Sequence, residues 1–244
     1  MTPTIASLST RHRVLTFSLN AIASDADCFT EWDRLIDRLL DDADAGPVAV
    51  VGVSFGGLVA LRYASRRPER VRRLVLVSAP APGLVLDERR AAYVRHPLLL
   101  APLFALRAVT HLLPEVAAAR PVTTDRAAFL LQYLARVVRY PASLPRMAAW
   151  VRAWPSAMRE IPLASLDVPT LVITGEPQLD RVVAVASTLE YLDLLPNVAH
   201  VVLPRTGHLG LVTKPQAFAT LVGEFVSDDV DVPRTGGRPR GATR

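Results

Sequence analysis

The sequence predicts an α/β fold, a mainly parallel sheet flanked by helices and interrupted by one long helical insertion. Three observations carry that expectation. The run Val48 to Leu61, VAVVGVSFGGLVAL, passes from a β-branched apolar segment through a small-residue turn into a helical apolar rhythm. Further short apolar runs, LVLVS from Leu74 to Ser78 and PTLVIT from Pro169 to Thr174, alternate with helical patterns, which favours parallel pairing with right-handed crossovers. From Ala79 to about Leu166 the alternation stops, and the segment reads as helices punctuated by proline.

Taken in order, Val14 to Leu19, VLTFSL, reads as the first strand. Thr30 can cap a helix whose Trp32, Leu35, Ile36, Leu39 and Leu40 share one face. Gly46 and Pro47 mark the turn into the Val48–Val53 strand, and Pro68 ends the helix after it. Runs such as VAVV and LVLV suit a sheet covered on both faces. Within the insertion, helical patterns cover Asp87–Val94, Leu98–Leu113, Arg126–Arg139 and Leu144–Trp154. The apolar tract Pro97–Leu106 is read as interior of the insertion, with the lining of a pocket for a greasy substrate group as the alternative, and Trp150 and Trp154, four residues apart on one helix face, as interior rather than a substrate platform. After the Pro169–Thr174 strand come a helix over Val182–Leu195, a strand over His200–Leu203 and a helix over Pro215–Val226. Residues 1–78 and 167–226 are thus expected to form the core and 79–166 a helical cap. Residues 227–244, mixing Asp, Arg, Gly and Pro, are expected to be a disordered tail.

A chain of 244 residues, half of them hydrophobic, can bury a full core as one unit. Its one cysteine, Cys28, cannot form an intrachain disulfide, which fits a reducing, cytoplasmic setting. The start of the chain lacks the apolar stretch of a signal peptide, and Ala45–Leu61, uncharged but glycine-rich, falls short of a membrane span. The net charge of +5 rests almost wholly on arginine. The densest cluster, Arg62, Arg66, Arg67, Arg70, Arg72 and Arg73, is read as a solvated helix end. Without aromatic interleaving it does not predict a nucleic-acid surface. His12, His96, His111 and His200 lack metal-site spacing and are read as surface or packing residues. The expected partner is a small-molecule substrate, with neither nucleic acid nor membrane and with no metal or cofactor.

Chemistry is concentrated in G-V-S-F-G-G. A serine becomes a useful nucleophile on a strained turn that holds its hydroxyl clear of the backbone, and Gly52 and Gly56 flank Ser54 where bulk is expected to collide. The same turn could also be close packing or an anion site at a helix start. Serine needs a base, and the base an orienting carboxylate, both on loops at the carboxyl ends of later strands. Asp180 follows PTLVIT in GEPQLDRVV, and His208 follows HVVLP in RTGHLG. Asp167 precedes its strand and lies at the wrong end of the sheet. Ser54, Asp180 and His208 thus stand in the chain order nucleophile, acid, histidine.

These three stretches resemble the α/β-hydrolase family of esterases, lipases and peptidase-like enzymes over roughly Arg13–Val226. GVSFGG is similar to its nucleophile elbow, GEPQLDRVV to its acid loop and RTGHLGLVTKPQAF to its histidine loop and final helix. The resemblance implies that Ser54 attacks an acyl carbon, His208 shuttles the proton and Asp180 holds the imidazole. It also implies that the backbone amide of Phe55 is one oxyanion donor. The family's acid often stands three residues after the loop glycine, here Gln178; the D-x-V-V pattern favours Asp180, with Glu176 as the alternative. The family's H-G segment, source of the second oxyanion donor, has no counterpart: His12 is followed by Arg13. The strand that normally carries it lies beside the elbow strand, so Val14–Leu19 is expected to pair directly with Val48–Val53, or the shortened fold to be damaged. The function expected is a serine hydrolase cleaving an ester, lactone or amide of a small, partly apolar substrate. The alternative is a catalytically impaired, hydrolase-like binding or scaffold protein.

Overall fold

Four strands lie side by side in the order in which the chain makes them, all parallel. They are seen in a computed structural model that describes residues 2–23, 25, 27–140, 143–159 and 161–227. Helix α1 (Thr2–Leu8) is followed by an extended stretch and α2 (Cys28–Asp42). Then come β1 (Val48–Val53), α3 (Phe55–Arg66) and β2 (Val71–Val77). The insertion supplies α4 (Glu88–Arg95), α5 (Ala101–Ala119), α6 (Thr123–Arg139) and α7 (Leu144–Met158). The chain closes with β3 (Thr170–Thr174), α8 (Val185–Leu189), α9 (Tyr191–Leu194), β4 (Val198–Val202), α10 (Gly210–Thr213) and α11 (Pro215–Val226).

Side chains of successive strand residues point to opposite faces, and the core divides accordingly. Leu74, Leu76 and Val172 face a layer containing Trp32, Leu58, Leu61 and Trp150. Val75, Val77, Leu171 and Ile173 face a layer built on Leu211, Phe218, Val222 and Phe225. The central strands are therefore apolar over Leu74–Val77 and Leu171–Ile173, as expected for a sheet covered on both sides.

The first expected strand is absent. Among the described residues Val14–Leu19 has no strand partner, and it runs into a 3-10 turn at Leu19–Ala21. Two local causes are visible. The Ser18 hydroxyl accepts a hydrogen bond from the Asn20 amide, diverting the chain from a ladder. The stretch is also used in crossing between layers: Leu8 packs with the Phe218 layer, whereas Phe17 and Leu19 pack with the Trp32 layer. Among the described residues, β1 consequently pairs with β2 alone and forms one edge of the sheet.

Several boundaries differ from expectation for identifiable reasons. Helix α5 continues through Pro114, and α7 through Pro155, although proline removes one intrahelical bond. Residues beyond each proline, Glu115 and Val116 in α5 and Met158 in α7, are buried and hold the last turns in place. Val182–Leu195 is two short helices, not one. Leu98, Leu99 and Leu106 are exposed, so Pro97–Leu106 is not interior. Trp150 and Trp154 are buried, but in the main core beside Trp32, not in a separate interior of the insertion. The expected tail lies, apart from Ser227, outside the described residues.

The arginine cluster is only in part a solvated helix end: Arg66 and Arg72 are exposed, but Arg62 is buried. Asp33, Asp37 and Asp41 recur every four residues on α2 and meet Arg62, Arg67 and Arg70 respectively. The Arg62–Asp33 pair is buried, and Arg62 also donates to the Phe29 carbonyl at 3.0 Å. Burial pushes the Asp33 carboxyl up, with Arg62 pulling the other way. Removing one partner of such a pair strands the other charge in a poor solvent. Asp33→Ala is expected to lower stability by about 3 kcal/mol; a urea-unfolding loss below about 1 kcal/mol would contradict the pairing.

On β4, His200 is partly buried and its Nε2 lies 2.9 Å from the Thr174 hydroxyl. Burial pulls its imidazole below the ordinary histidine value, so the folded state favours the neutral ring. The resulting stability is full above about pH 6.5 and is lost as pH falls below it, because the unfolded ring protonates first. His200→Gln is expected to flatten the decline of thermal midpoint with falling pH in that window. An unchanged slope would contradict the assignment.

Candidate active site

The turn between β1 and α3 puts Ser54 in an unusual backbone conformation, φ 53° and ψ −126°. A non-glycine residue there is strained, and the surroundings must over-determine it. The Ser54 amide donates to the Val77 carbonyl of β2 at 2.8 Å, and its carbonyl accepts from Gly57 at 2.8 Å. A Cβ at Gly52 would lie 2.5 Å from the Gly56 carbonyl oxygen, and one at Gly57 would lie 2.3 Å from the Ala79 methyl. Gly56, expected to need its small size for the same reason, faces open space. The close contacts thus fall on Gly52 and Gly57.

Phe55 opens α3, so its N–H has no intrahelical carbonyl to bond. Its ring contacts Phe29, Trp32, Trp150 and Trp154, with centroids 5.8 to 6.4 Å apart. This packing ties the residue after Ser54 to both α2 and α7.

Strands β3 and β4 end beside each other, and the loops leaving them interlock. Glu176 donates its amide to the Thr206 carbonyl at 2.8 Å. A Cβ at Gly175 would lie 2.5 Å from that same carbonyl oxygen, and one at Gly207 would lie 2.3 Å from the Leu179 carbonyl oxygen. The backbones before Asp180 and before His208 can approach this closely because both glycines lack side chains.

Asp180 is 5% exposed. Oδ1 accepts from the amides of Val182 and Val183 at 3.2 and 3.0 Å, and both carboxylate oxygens lie 3.3 Å from His208 Nδ1. His208 Nε2 lies 3.0 Å from Ser54 Oγ. The three residues singled out from sequence are therefore together, with the ring between hydroxyl and carboxylate. Glu176, the alternative acid, is engaged elsewhere: one oxygen accepts from the Arg205 amide at 2.7 Å and the other from Gln178 at 2.6 Å.

Sequence reasoning passed over Glu115. It is 2% exposed, and its carboxylate accepts from the Leu209 amide and the Thr213 hydroxyl. Burial pushes its carboxyl up, against the pull of these donors and of His208. The available signal was its position as the one acid in α5. An apolar recess of about 460 Å³ lies between Pro82–Leu86 and α7 and is not bordered by Ser54, Asp180 or His208. Among the described residues no helix is long and apolar enough to cross a membrane.

Comparison with known proteins adds an independent line. The profile of the alpha/beta hydrolase fold matches residues 9–215. The chain is 31% identical over 199 residues to 2-hydroxymuconate semialdehyde hydrolase of Pseudomonas sp. strain CF600, covering 78% of this chain and 65% of that protein's length. It is 29% identical over 204 residues to 2-hydroxy-6-oxo-2,4-heptadienoate hydrolase of Pseudomonas putida, covering 80% of this chain and 69% of the relative. Among solved structures it resembles in fold the serine hydrolase CCSP0084 from Cycloclasticus zankles, with a TM-score of 0.66 at 18% identity, over 92% of this chain and 82% of that one.

The interlock gives a direct test. Gly207→Ala must push apart two backbones, and overpacking of this kind costs about 1 to 3 kcal/mol. A urea midpoint unchanged from wild type would show that the loops do not meet as closely as described.

Proposed function

The chain belongs to the alpha/beta hydrolase fold family, and from that premise we propose that it is a serine hydrolase with Ser54 as nucleophile, His208 as base and Asp180 as orienting acid. The observation that carries the reading is the continuous contact from Ser54 Oγ to His208 Nε2 and from His208 Nδ1 to Asp180. The substrate class is an ester, lactone or amide of a small, partly apolar molecule, and the insertion 79–166 serves as its cap. Two of the relatives are named as hydrolases of 2-hydroxymuconate semialdehyde and of 2-hydroxy-6-oxo-2,4-heptadienoate, in keeping with a carbonyl as the group attacked.

In this mechanism His208 Nε2 takes the Ser54 hydroxyl proton as Oγ bonds to the carbonyl carbon. The charge that develops on the carbonyl oxygen is met by the Phe55 N–H. His208 returns the proton to the leaving group as its bond breaks, giving an acyl-enzyme. Water then repeats the sequence, with His208 as base and Oγ as leaving group. The two backbone donors of Asp180 hold it in place, and its carboxylate stabilises the imidazolium that forms each time.

The reading includes a handicap. Among the described residues no segment resembling the family's H-G loop stands beside Ser54, and loss of one oxyanion donor costs about 2.7 to 4 kcal/mol, or roughly 10² to 10³ in rate. That deficit, with β1 at the sheet edge, favours as second reading a hydrolase-like binding protein with impaired catalysis. Short p-nitrophenyl esters separate the two. Slow turnover that falls by at least about 10³-fold in Ser54→Ala is the expected result. Turnover unchanged by Ser54→Ala would contradict the mechanism, and none in the folded wild type would favour the binding protein.

A further inference from the structure

Glu115 lies outside the three residues assigned to the reaction, yet it is among the most buried charged groups in the chain, on a helix of the insertion. A carboxylate is costly to bury without compensation, so its partners indicate what it does. Both oxygens lie within reach of the Leu209 amide, at 3.1 and 2.9 Å, and Oε1 accepts from the Thr213 hydroxyl at 2.9 Å. The partners are thus the residue directly after His208 and one from the short helix that follows.

We infer that Glu115 is a positioning residue, a clamp by which α5 of the insertion fixes the loop carrying His208. The inference rests on the assignment of His208 as base. Interlock with the acid loop fixes Gly207 from one side through Leu179; Glu115 fixes Leu209 from the other. Between two held neighbours the imidazole has little freedom to leave the line from Asp180 to Ser54. The phenol of Tyr133 on α6 is pushed up by burial and by the Glu115 charge. Through Glu115, an insertion whose outer face carries exposed Leu98, Leu99 and Leu106 is mechanically tied to the reacting centre.

A residue that merely fastened the insertion would alter substrate binding; one that positions His208 alters the chemical step. For Glu115→Ala, kcat on a short p-nitrophenyl ester is expected to fall about 10-fold to 100-fold, while KM changes less than about twofold. Glu115→Gln, isosteric and retaining one acceptor oxygen, is expected to recover part of that loss. It carries the test alone if the alanine variant does not fold. Thr213→Val, which removes one donor, is expected to reduce kcat in the same direction by less. Amide hydrogen exchange at Leu209 reads the clamp without turnover and is expected to quicken in Glu115→Ala and, by less, in Glu115→Gln. Wild-type kcat in the folded Glu115 variants, or unchanged Leu209 exchange, overturns the inference. Wild-type turnover indifferent to Ser54→Ala instead defeats the serine-hydrolase reading, and Leu209 exchange still decides whether the clamp exists.

Discussion

The close approach of two loop backbones, Gly175 against Thr206 and Gly207 against Leu179, is the constraint on which the site depends. Parallel pairing of β3 with β4 brings the two carboxyl ends level, Thr174 opposite Val202. The missing side chains then let the loops close to backbone contact. Asp180 and His208 occupy the next positions along each loop, so their separation is set by main-chain geometry and not by flexible side chains. A carboxylate that also accepts two backbone amides has few orientations left.

Ser54 is brought to this pair from the opposite edge of the sheet. Its strand has one ladder partner among the described residues, and the strained φ is maintained by the amide bond to Val77 and by the two glycines that admit Ala60 and Ala79. The aromatic group around Phe55 adds a second anchor, joining the start of α3 to α2 and α7. An edge strand of valines is ordinarily an exposed ladder that invites pairing, and Val51, 40% exposed, marks where that side is open. The elbow therefore depends on β2 and on helix packing for the rigidity that a second flanking strand provides elsewhere in parallel sheets.

Much of this was legible in the chain because it is local. A buried-strand pattern running into Gly-x-Ser-x-Gly and then a helical rhythm defines β1, the turn and α3 without reference to the rest. Asp180 and His208 were legible because each follows an apolar run that has no other plausible structure. What was not legible depends on distant partners. Val14–Leu19 has the composition of a strand, but only the positions of α1 and α2 reveal that it is used to cross between layers. The arginines after Ser54 look like a solvated surface until α2 presents Asp33, Asp37 and Asp41 to them. Glu115 resembles any helical glutamate until the fold brings it to Leu209 and Thr213. For the arginines and for Glu115 the deciding partner lies from about 30 to nearly 100 residues away, beyond the reach of pattern and propensity.

The account holds that the Ser54 hydroxyl is made nucleophilic by the ring of His208. A fluorophosphonate reacts with such a hydroxyl and not with an ordinary serine, so mapping its adduct by mass spectrometry tests the claim most directly. The predicted result is one adduct, on the peptide containing Ser54, formed by the wild type and lost in His208→Ala. An adduct that persists at the same rate in His208→Ala, or none at Ser54 in the folded wild type, would contradict it.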